Sequence, residues 1–225
     1  MTAYLSEYQQ KLRTAEEAAR LVKNGDWVDY GNALGMPELL DQALAARRDE
    51  LSDIRVRGML AVRPIAVVEA DPERKTFHYE SWYLAGYERK LCERGLCDFV
   101  PMDYGWLPAV YRNHIQVDAA FISVTPMNHA GYFSFSTTNS ATKAILEKSK
   151  IIVLEVNERL PVIPGLYDEQ VHISEIDFVV EGDHPPLAEF QSPEPTEVDQ
   201  KIAHQIVEKI EDGSTIELGI GGLPS

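Results

Sequence analysis

The chain has little cysteine, no long apolar run and no excess of positive charge. Cys92 and Cys97 are the only cysteines in 225 residues. Two cysteines build no disulfide framework, and their spacing matches no metal motif. Neither a His-x-x-x-His nor a Cys-x-x-Cys pair is present, so no metal is expected. Reduced thiols and a cytoplasmic location fit this usage. No stretch reaches the roughly 18 consecutive apolar residues of a membrane span, so no membrane partner is expected. The N-terminus, Met-Thr-Ala-Tyr-Leu-Ser-Glu-Tyr, lacks the basic and apolar regions of a signal peptide. Lysine and arginine number 21 against 36 aspartates and glutamates, a net charge of −15. An acidic chain repels phosphate backbones, which argues against nucleic acid as a partner. The acid is scattered and reads as a solvated surface.

What is present is a repeated glycine loop. Residues 25–37 read Gly-Asp-Trp-Val-Asp-Tyr-Gly-Asn-Ala-Leu-Gly-Met-Pro, and residues 213–225 read Gly-Ser-Thr-Ile-Glu-Leu-Gly-Ile-Gly-Gly-Leu-Pro-Ser. The first has one extra residue in its loop. Gly25 matches Gly213, Gly31 matches Gly219, Gly35 matches Gly222 and Pro37 matches Pro224. Each copy follows an amphipathic stretch, residues 14–23 and 197–210. Two copies about 190 residues apart suggest a duplicated α/β domain. The second copy is cut off as its loop begins, so the chain reads as a fragment.

Residues 2–23 read as helical. Thr14 with Glu17 forms a capping-box pattern, which suggests two helices in series. Short strands are expected at 27–30, 54–60, 75–82 and 99–102. Pro37 suits the first turn of a helix over 37–48. Further helices are expected at 85–94, ending on Gly95 as a C-cap, and at 106–113. Residues 119–124 and 151–156 are continuous apolar strands joined by a helix over 139–148, and 176–180 is one more strand. Strands alternating with helices, two of them apolar throughout, predict an open, mostly parallel sheet with helices on both faces. The prolines at 185, 186, 193 and 195 mark a linker. The expected organisation is a first α/β domain over 1–185, a linker over 186–195 and the start of a second domain over 196–225, with a helix at 197–210 and a strand at 215–218.

A strand that ends in a glycine loop and feeds a helix points backbone N–H groups at an anion. Neither loop is a P-loop, and either can equally be a tight βα turn. Gly31, Asn32 and Gly35 are candidates for lining a substrate pocket, because open α/β sheets bind ligands at strand carboxyl ends. Residues 126–137 form a second region, in which Phe133 and Phe135 alternate with the hydroxyls of Ser134, Ser136, Thr137 and Thr138. It reads more simply as a hydrophobic hairpin with exposed polar positions. His129 has no orienting carboxylate nearby in sequence. No Gly-x-Ser-x-Gly elbow exists. Glu80, Glu155 and Glu175 lie in or beside strands, and nothing in the sequence selects one of them.

Several stretches resemble the acetyl-CoA hydrolase/CoA-transferase family. They are residues 124–136 (Val-Thr-Pro-Met-Asn-His-Ala-Gly-Tyr-Phe-Ser-Phe-Ser), Thr142-Lys143-Ala144, Glu155-Val156-Asn157 with Pro161, and residues 172–177. Phe77-His78, Arg89-Lys90 and residues 218–224 (Leu-Gly-Ile-Gly-Gly-Leu-Pro) match as well, in the same order. Ala130 lengthens the His-Gly turn, Ser136 stands where a glycine is frequent, and residues 159–170 depart from the pattern. The resemblance implies an acyl-CoA:carboxylate CoA-transferase, with acetate, butyrate or 4-hydroxybutyrate as the kind of acceptor. A glutamate of the second domain would carry the reaction through an anhydride and a glutamyl-CoA thioester. By resemblance that glutamate lies beyond Ser225, so no catalytic residue is expected in this chain. Gly219, Ile220, Gly221, Gly222 and Leu223 would approach CoA through their backbone. CoA and acyl-CoA enter as substrates, no tightly bound cofactor is implied, and a homo-oligomer is expected. The alternatives are an acyl-CoA hydrolase, such as an acetyl-CoA hydrolase, and a non-catalytic carboxylate- or CoA-binding domain.

A backbone that lies against a ligand leaves no room for a Cβ. In protein that carries the second domain, Gly221→Ala is expected to lower kcat/KM for acyl-CoA at least about tenfold, as loss of an oxyanion donor does. The melting temperature should stay near that of wild type. An early-melting variant with full specific activity would assign the loop to folding.

Overall fold

A computed structural model describes residues 3–182, 184, 186–188 and 194–219. The chain divides into two units, residues 1–188 and 189–225. In the first unit, α1 (Ala3–Lys11), β1 (Leu12–Arg13) and α2 (Ala15–Ala19) lead into β2 (Trp27–Asn32) and α3 (Leu39–Ala45). Next come β3 (Ile54–Met59), α4 (Ala66–Ala70), β4 (Phe77–Ser81), α5 (Gly86–Glu93) and β5 (Asp98–Phe99). The remainder is α6 (Leu107–His114), β6 (Val117–Val124), β7 (Tyr132–Ser134), α7 (Thr142–Lys148), β8 (Ser149–Val156), β9 (Gln170–His172) and β10 (Phe178–Glu181). Eight strands form one sheet in the order β1-β10-β8-β6-β2-β3-β4-β5, with every pairing parallel.

A parallel strand buried on both faces has no polar side to show, which is why β6 and β8 are legible as apolar runs. All eight residues of β6 are buried. Their alternation splits the core into two. Ala119 and Phe121 face a cluster built with α2, α3, α4 and α5, while Ala120, Ile122 and Val124 face a cluster built with α1, α6 and α7. The sheet is thus covered on both sides. Tyr30 of β2 stacks on its cross-strand neighbour Phe121 with ring centroids 6.4 Å apart.

The expected N-terminal helix is indeed two. Thr14 caps α2, accepting from the Glu17 N–H while the Glu17 carboxylate accepts the Thr14 N–H at 3.0 Å. Between the helices, β1 pairs with β10 and breaks the run, which the helical periodicity concealed. Gly95 ends α5 at φ +72°, as a C-cap requires. Pro37 does not open α3; it sits two residues earlier, because Met36 before it is held extended and Glu38 serves as N-cap. Residues 125–134 turn back on themselves, the Asn128 N–H donating to the Tyr132 carbonyl at 2.9 Å and the Thr125 N–H to the Ser134 carbonyl at 3.0 Å, but the polar positions are not all exposed as expected. β7 pairs antiparallel with the distant β9, and Ser134 and Ser136 are buried rather than exposed. The Ser136 hydroxyl donates to the Pro161 carbonyl at 2.6 Å.

In the second unit, Thr196 caps α8 (Glu197–Val207) by accepting from the Asp199 N–H. Residues 215–218, expected to be a strand, are exposed and pair with no strand among the described residues. A β run has no structure until a neighbour takes its backbone groups. Among the described residues no helix is long and apolar enough to cross a membrane.

One ion pair is buried inside the first unit. Arg57 of β3 donates twice to Asp29 of β2, and the Tyr111 hydroxyl of α6 donates to the same carboxylate. Both charged side chains are almost completely shielded from solvent. Burial pushes the Asp29 carboxyl upward, and the Arg57 charge and the Tyr111 hydroxyl pull it back. The guanidinium also lies over the Trp27 ring, 4.4 Å from its centroid. Breaking such a pair strands a charge. Arg57→Met is therefore expected to cost about 3–5 kcal/mol in urea unfolding. Arg57→Met together with Asp29→Leu should be less damaging than Arg57→Met alone.

Candidate functional site

Strand order decides where a ligand can enter. From β2 the chain lays β3, β4 and β5 to one side, then returns to place β6, β8 and β10 on the other. The direction reverses between β2 and β6, and open α/β sheets bind ligands beyond the strand carboxyl ends at such a point. Here β2 ends in Gly31-Asn32, β6 in Ser123-Val124 and β8 in Glu155-Val156.

The glycine loop is part of this edge. Gly31 and Asn32 finish β2, and Ala33–Gly35 is a single 3-10 turn. A Cβ on Gly31 would lie 2.5 Å from the Gly35 carbonyl oxygen, and a Cβ on Gly35 would lie 2.6 Å from Thr138 Oγ1. Neither glycine is in the left-handed region; close approach, not backbone freedom, excludes a side chain. Ala33 is the residue with positive φ, at 46°. Asn32 is buried, and its Oδ1 finds no partner among the described residues; Asn139 Oδ1 and Ser140 Oγ share that state. Asn32 and Ser140 line one small cavity with Met59, Trp82 and Leu107, of about 10 Å³, room for about one water.

A larger cavity, of about 110 Å³, is lined among others by Met36, Arg63, Ser123, Glu155 and Asn157. Glu155 also lines a neighbouring cavity of about 70 Å³. Among the three glutamates that sequence left equal, Glu155 is the one at this edge. Glu80 lies on β4, and Glu175 is partly exposed and pairs with Lys143 at 2.6 Å. Glu155 is 5% exposed. Its Oε1 accepts the Glu38 N–H at 2.9 Å and its Oε2 the Leu40 N–H at 2.8 Å. Burial pushes its carboxyl above the ordinary range, while these N–H groups and the Arg63 charge draw it down.

This amends the reading of the loop as an open anion cradle. The N–H groups at the start of α3 are engaged by a carboxylate of the protein itself. Residues 38 and 155 are far apart in sequence, so no local pattern shows the contact. A lone acid inside the otherwise apolar run 151–156 was the available signal. Arg63, which sequence reasoning did not select, donates from Nη2 to the Met36 carbonyl at 2.8 Å and lies 3.6 Å from the Glu38 carboxylate. Asn157 Oδ1 accepts the Arg159 N–H at 2.9 Å. That contact fixes the amide and leaves Nδ2 as a donor.

Asp41 of α3 continues the pattern. It accepts the N–H groups of Ala66 and Val67 at the start of α4 and the hydroxyl of Tyr30. Burial pushes its carboxyl up to about 6. His129 stands on an exposed loop. Of the expected CoA loop, Gly219 is exposed, and Ile220, Gly221, Gly222 and Leu223 lie outside the described residues.

The two glycines call for different responses to substitution. Gly35→Ala is expected to lower stability by about 1–3 kcal/mol in a denaturant titration, the usual cost of overpacking. Thr138→Ala in the same chain should recover much of it, because the clash is with Oγ1 and the Thr138 Cβ stands at an ordinary 3.5 Å. Gly31→Ala meets backbone, so Thr138→Ala should recover none of its loss.

The model for the acetyl-CoA hydrolase/transferase N-terminal domain matches residues 1–189. Over 225 residues the chain is 41% identical to a butyryl-CoA:acetate CoA-transferase of Anaerostipes caccae, covering 99% of this chain and 50% of that protein. It is 32% identical over 218 residues to the 4-hydroxybutyrate coenzyme A transferase of Clostridium kluyveri, covering 96% and 50%. The crystal structure of RipA from Yersinia pestis matches with a TM-score of 0.88 at 28% identity, over 99% of this chain and 53% of that one. The chain therefore spans about half the length of these relatives. A sheet of parallel strands covered on both faces, a glycine loop at its switch point and a match over nearly the whole chain lead to one conclusion: the chain belongs to the acetyl-CoA hydrolase/transferase family.

Proposed function

We propose that this chain serves in acyl-CoA:carboxylate CoA transfer, moving CoA between a short-chain acyl-CoA and an acceptor of the acetate, butyrate or 4-hydroxybutyrate type. The observation that carries the reading is the 41% identity, over 99% of the chain, to a butyryl-CoA:acetate CoA-transferase. The nucleophile is a glutamate outside these 225 residues. Its carboxylate attacks the thioester carbonyl, giving an acyl-glutamyl anhydride and the CoA thiolate. The thiolate then attacks the glutamyl carbonyl, which forms glutamyl-CoA and releases the first carboxylate. A second carboxylate runs these steps in reverse and leaves as its CoA thioester.

A carboxylate is a weak nucleophile in water, so the reaction needs a dry site with donors aimed at the developing oxyanion. In this reading Gly31, Asn32 and Gly35 belong to the pocket for the acyl or carboxylate end. Gly219, Ile220, Gly221, Gly222 and Leu223 approach CoA. CoA is a substrate rather than a resident cofactor, and the protein works in the cytoplasm as a homo-oligomer.

The test is exchange. Protein carrying this chain and the second domain, given butyryl-CoA and labelled acetate, should form labelled acetyl-CoA with ping-pong kinetics. It should release no free CoA without an acceptor. Free CoA from butyryl-CoA alone would replace the transferase reading with a hydrolase, which the family's description also covers. Residues 1–225 alone should not exchange; turnover by them would place the nucleophile within the chain.

A further inference from the structure

We infer that Glu155 is a positioning residue for the cleft at the switch point: its carboxylate clamps the end of the glycine loop, and through the Met36 carbonyl the clamp sets the place of Arg63. The inference rests on the transfer reading for its kinetic consequence, and on geometry alone for the clamp.

The first N–H groups of a helix have no partner within the helix. In α3 the side chain of the N-cap Glu38 caps none of them. Glu155, at the carboxyl end of β8, supplies the missing acceptor to Glu38 and Leu40. Those two contacts fix residues 38–40 against the sheet. Met36 stands two residues upstream and is extended by the proline that follows it. Its carbonyl accepts from Arg63 Nη2 at 2.8 Å. The Arg63 Nε makes a longer contact with the Glu38 carboxylate at 3.6 Å.

The order of contacts is therefore Glu155, the residues opening α3, the Met36 carbonyl and Arg63. Met36, Arg63, Glu155 and Glu38 all line the same 110 Å³ cavity, so loosening the first member alters the wall on which a substrate group would rest. Glu155 is not a catalytic residue in this account. Each of its oxygens accepts one backbone N–H, and it acts through the loop.

Glu155→Gln keeps the shape and one acceptor but turns an amide donor toward one of the two N–H groups. Amide hydrogen exchange at Glu38 and Leu40 should then speed up at least about tenfold, with exchange in β6 unchanged. In the transferase assay KM for the carboxylate acceptor should rise about tenfold while kcat stays within about twofold, the sign of lost uniform binding. A merely structural role would shrink the active fraction, lowering kcat at unchanged KM, and that outcome overturns the inference. Unchanged exchange at Glu38 and Leu40 overturns it as well. Should Glu155→Gln fail to fold, Arg63→Gln carries the test: it lies downstream, so KM should rise without faster exchange at Glu38 and Leu40. An unchanged KM in Arg63→Gln overturns the relay. Wild-type protein that exchanges no CoA would refute the transfer reading, and the hydrogen-exchange comparison would still decide the clamp.

Discussion

The first unit depends on a repeated bargain between buried carboxylates and backbone N–H groups. A sheet covered on both faces keeps water from the turns that join its strands to its helices, so the opening N–H groups of each helix need acceptors from the protein. A buried carboxylate has the opposite need, because its charge is tolerable only when several donors surround it. Glu155 meets the start of α3, and Asp41 meets the start of α4. Glu88 accepts the N–H groups of Ala61 and Ala85 and the hydroxyls of Tyr79 and Ser81. Asp71 accepts the backbone N–H groups of Thr76 and Phe77 at the start of β4. Glu155, Asp41 and Glu88 each tie one connection to another part of the chain, while Asp71 closes its own connection.

Among the described residues Arg57 is the one buried cation against several buried carboxylates, and this arrangement explains how they are accommodated. Asp29 with Arg57 pairs two buried charges between two strands, and there the Tyr111 hydroxyl and the Trp27 ring complete the surroundings. At Glu155, Asp41 and Asp71 the partner is the polarised backbone, whereas Asp118 takes the exposed Lys150 at 2.6 Å. The same logic reaches the cleft, where Arg63 is shared between the Met36 carbonyl and the charges around Glu38 and Glu155.

The fold was legible where the physical cause is local. β6 and β8 are apolar because both their faces are covered; Thr14 with Glu17 and Gly95 carry their caps in adjacent residues. The short α4 escaped notice because its cap, Asp41, comes from another helix. β9 escaped because three residues gain meaning only from β7. In the candidate site, Gly31 and Gly35 are visible in sequence as a loop motif, but the reason for them is contact with Gly35 O and Thr138. Glu155 could be seen as a strand acid and no more, since its partners lie on a helix that enters the sequence more than a hundred residues earlier. Long-range satisfaction of backbone donors leaves almost no trace in a local pattern.

The position of β1 has a consequence for how the chain is made. Leu12 pairs with Val179 and Arg13 with Val180. The edge strand nearest the N-terminus therefore waits for the last strand of the sheet. A ribosome must release nearly the whole first unit before α1 and β1 can dock, and until then the flank of β8 that β10 will cover stays open. Parallel pairing of such distant segments is slow. During synthesis the emerging chain exposes an apolar strand edge, the surface that chaperones recognise and that neighbouring nascent chains can pair with.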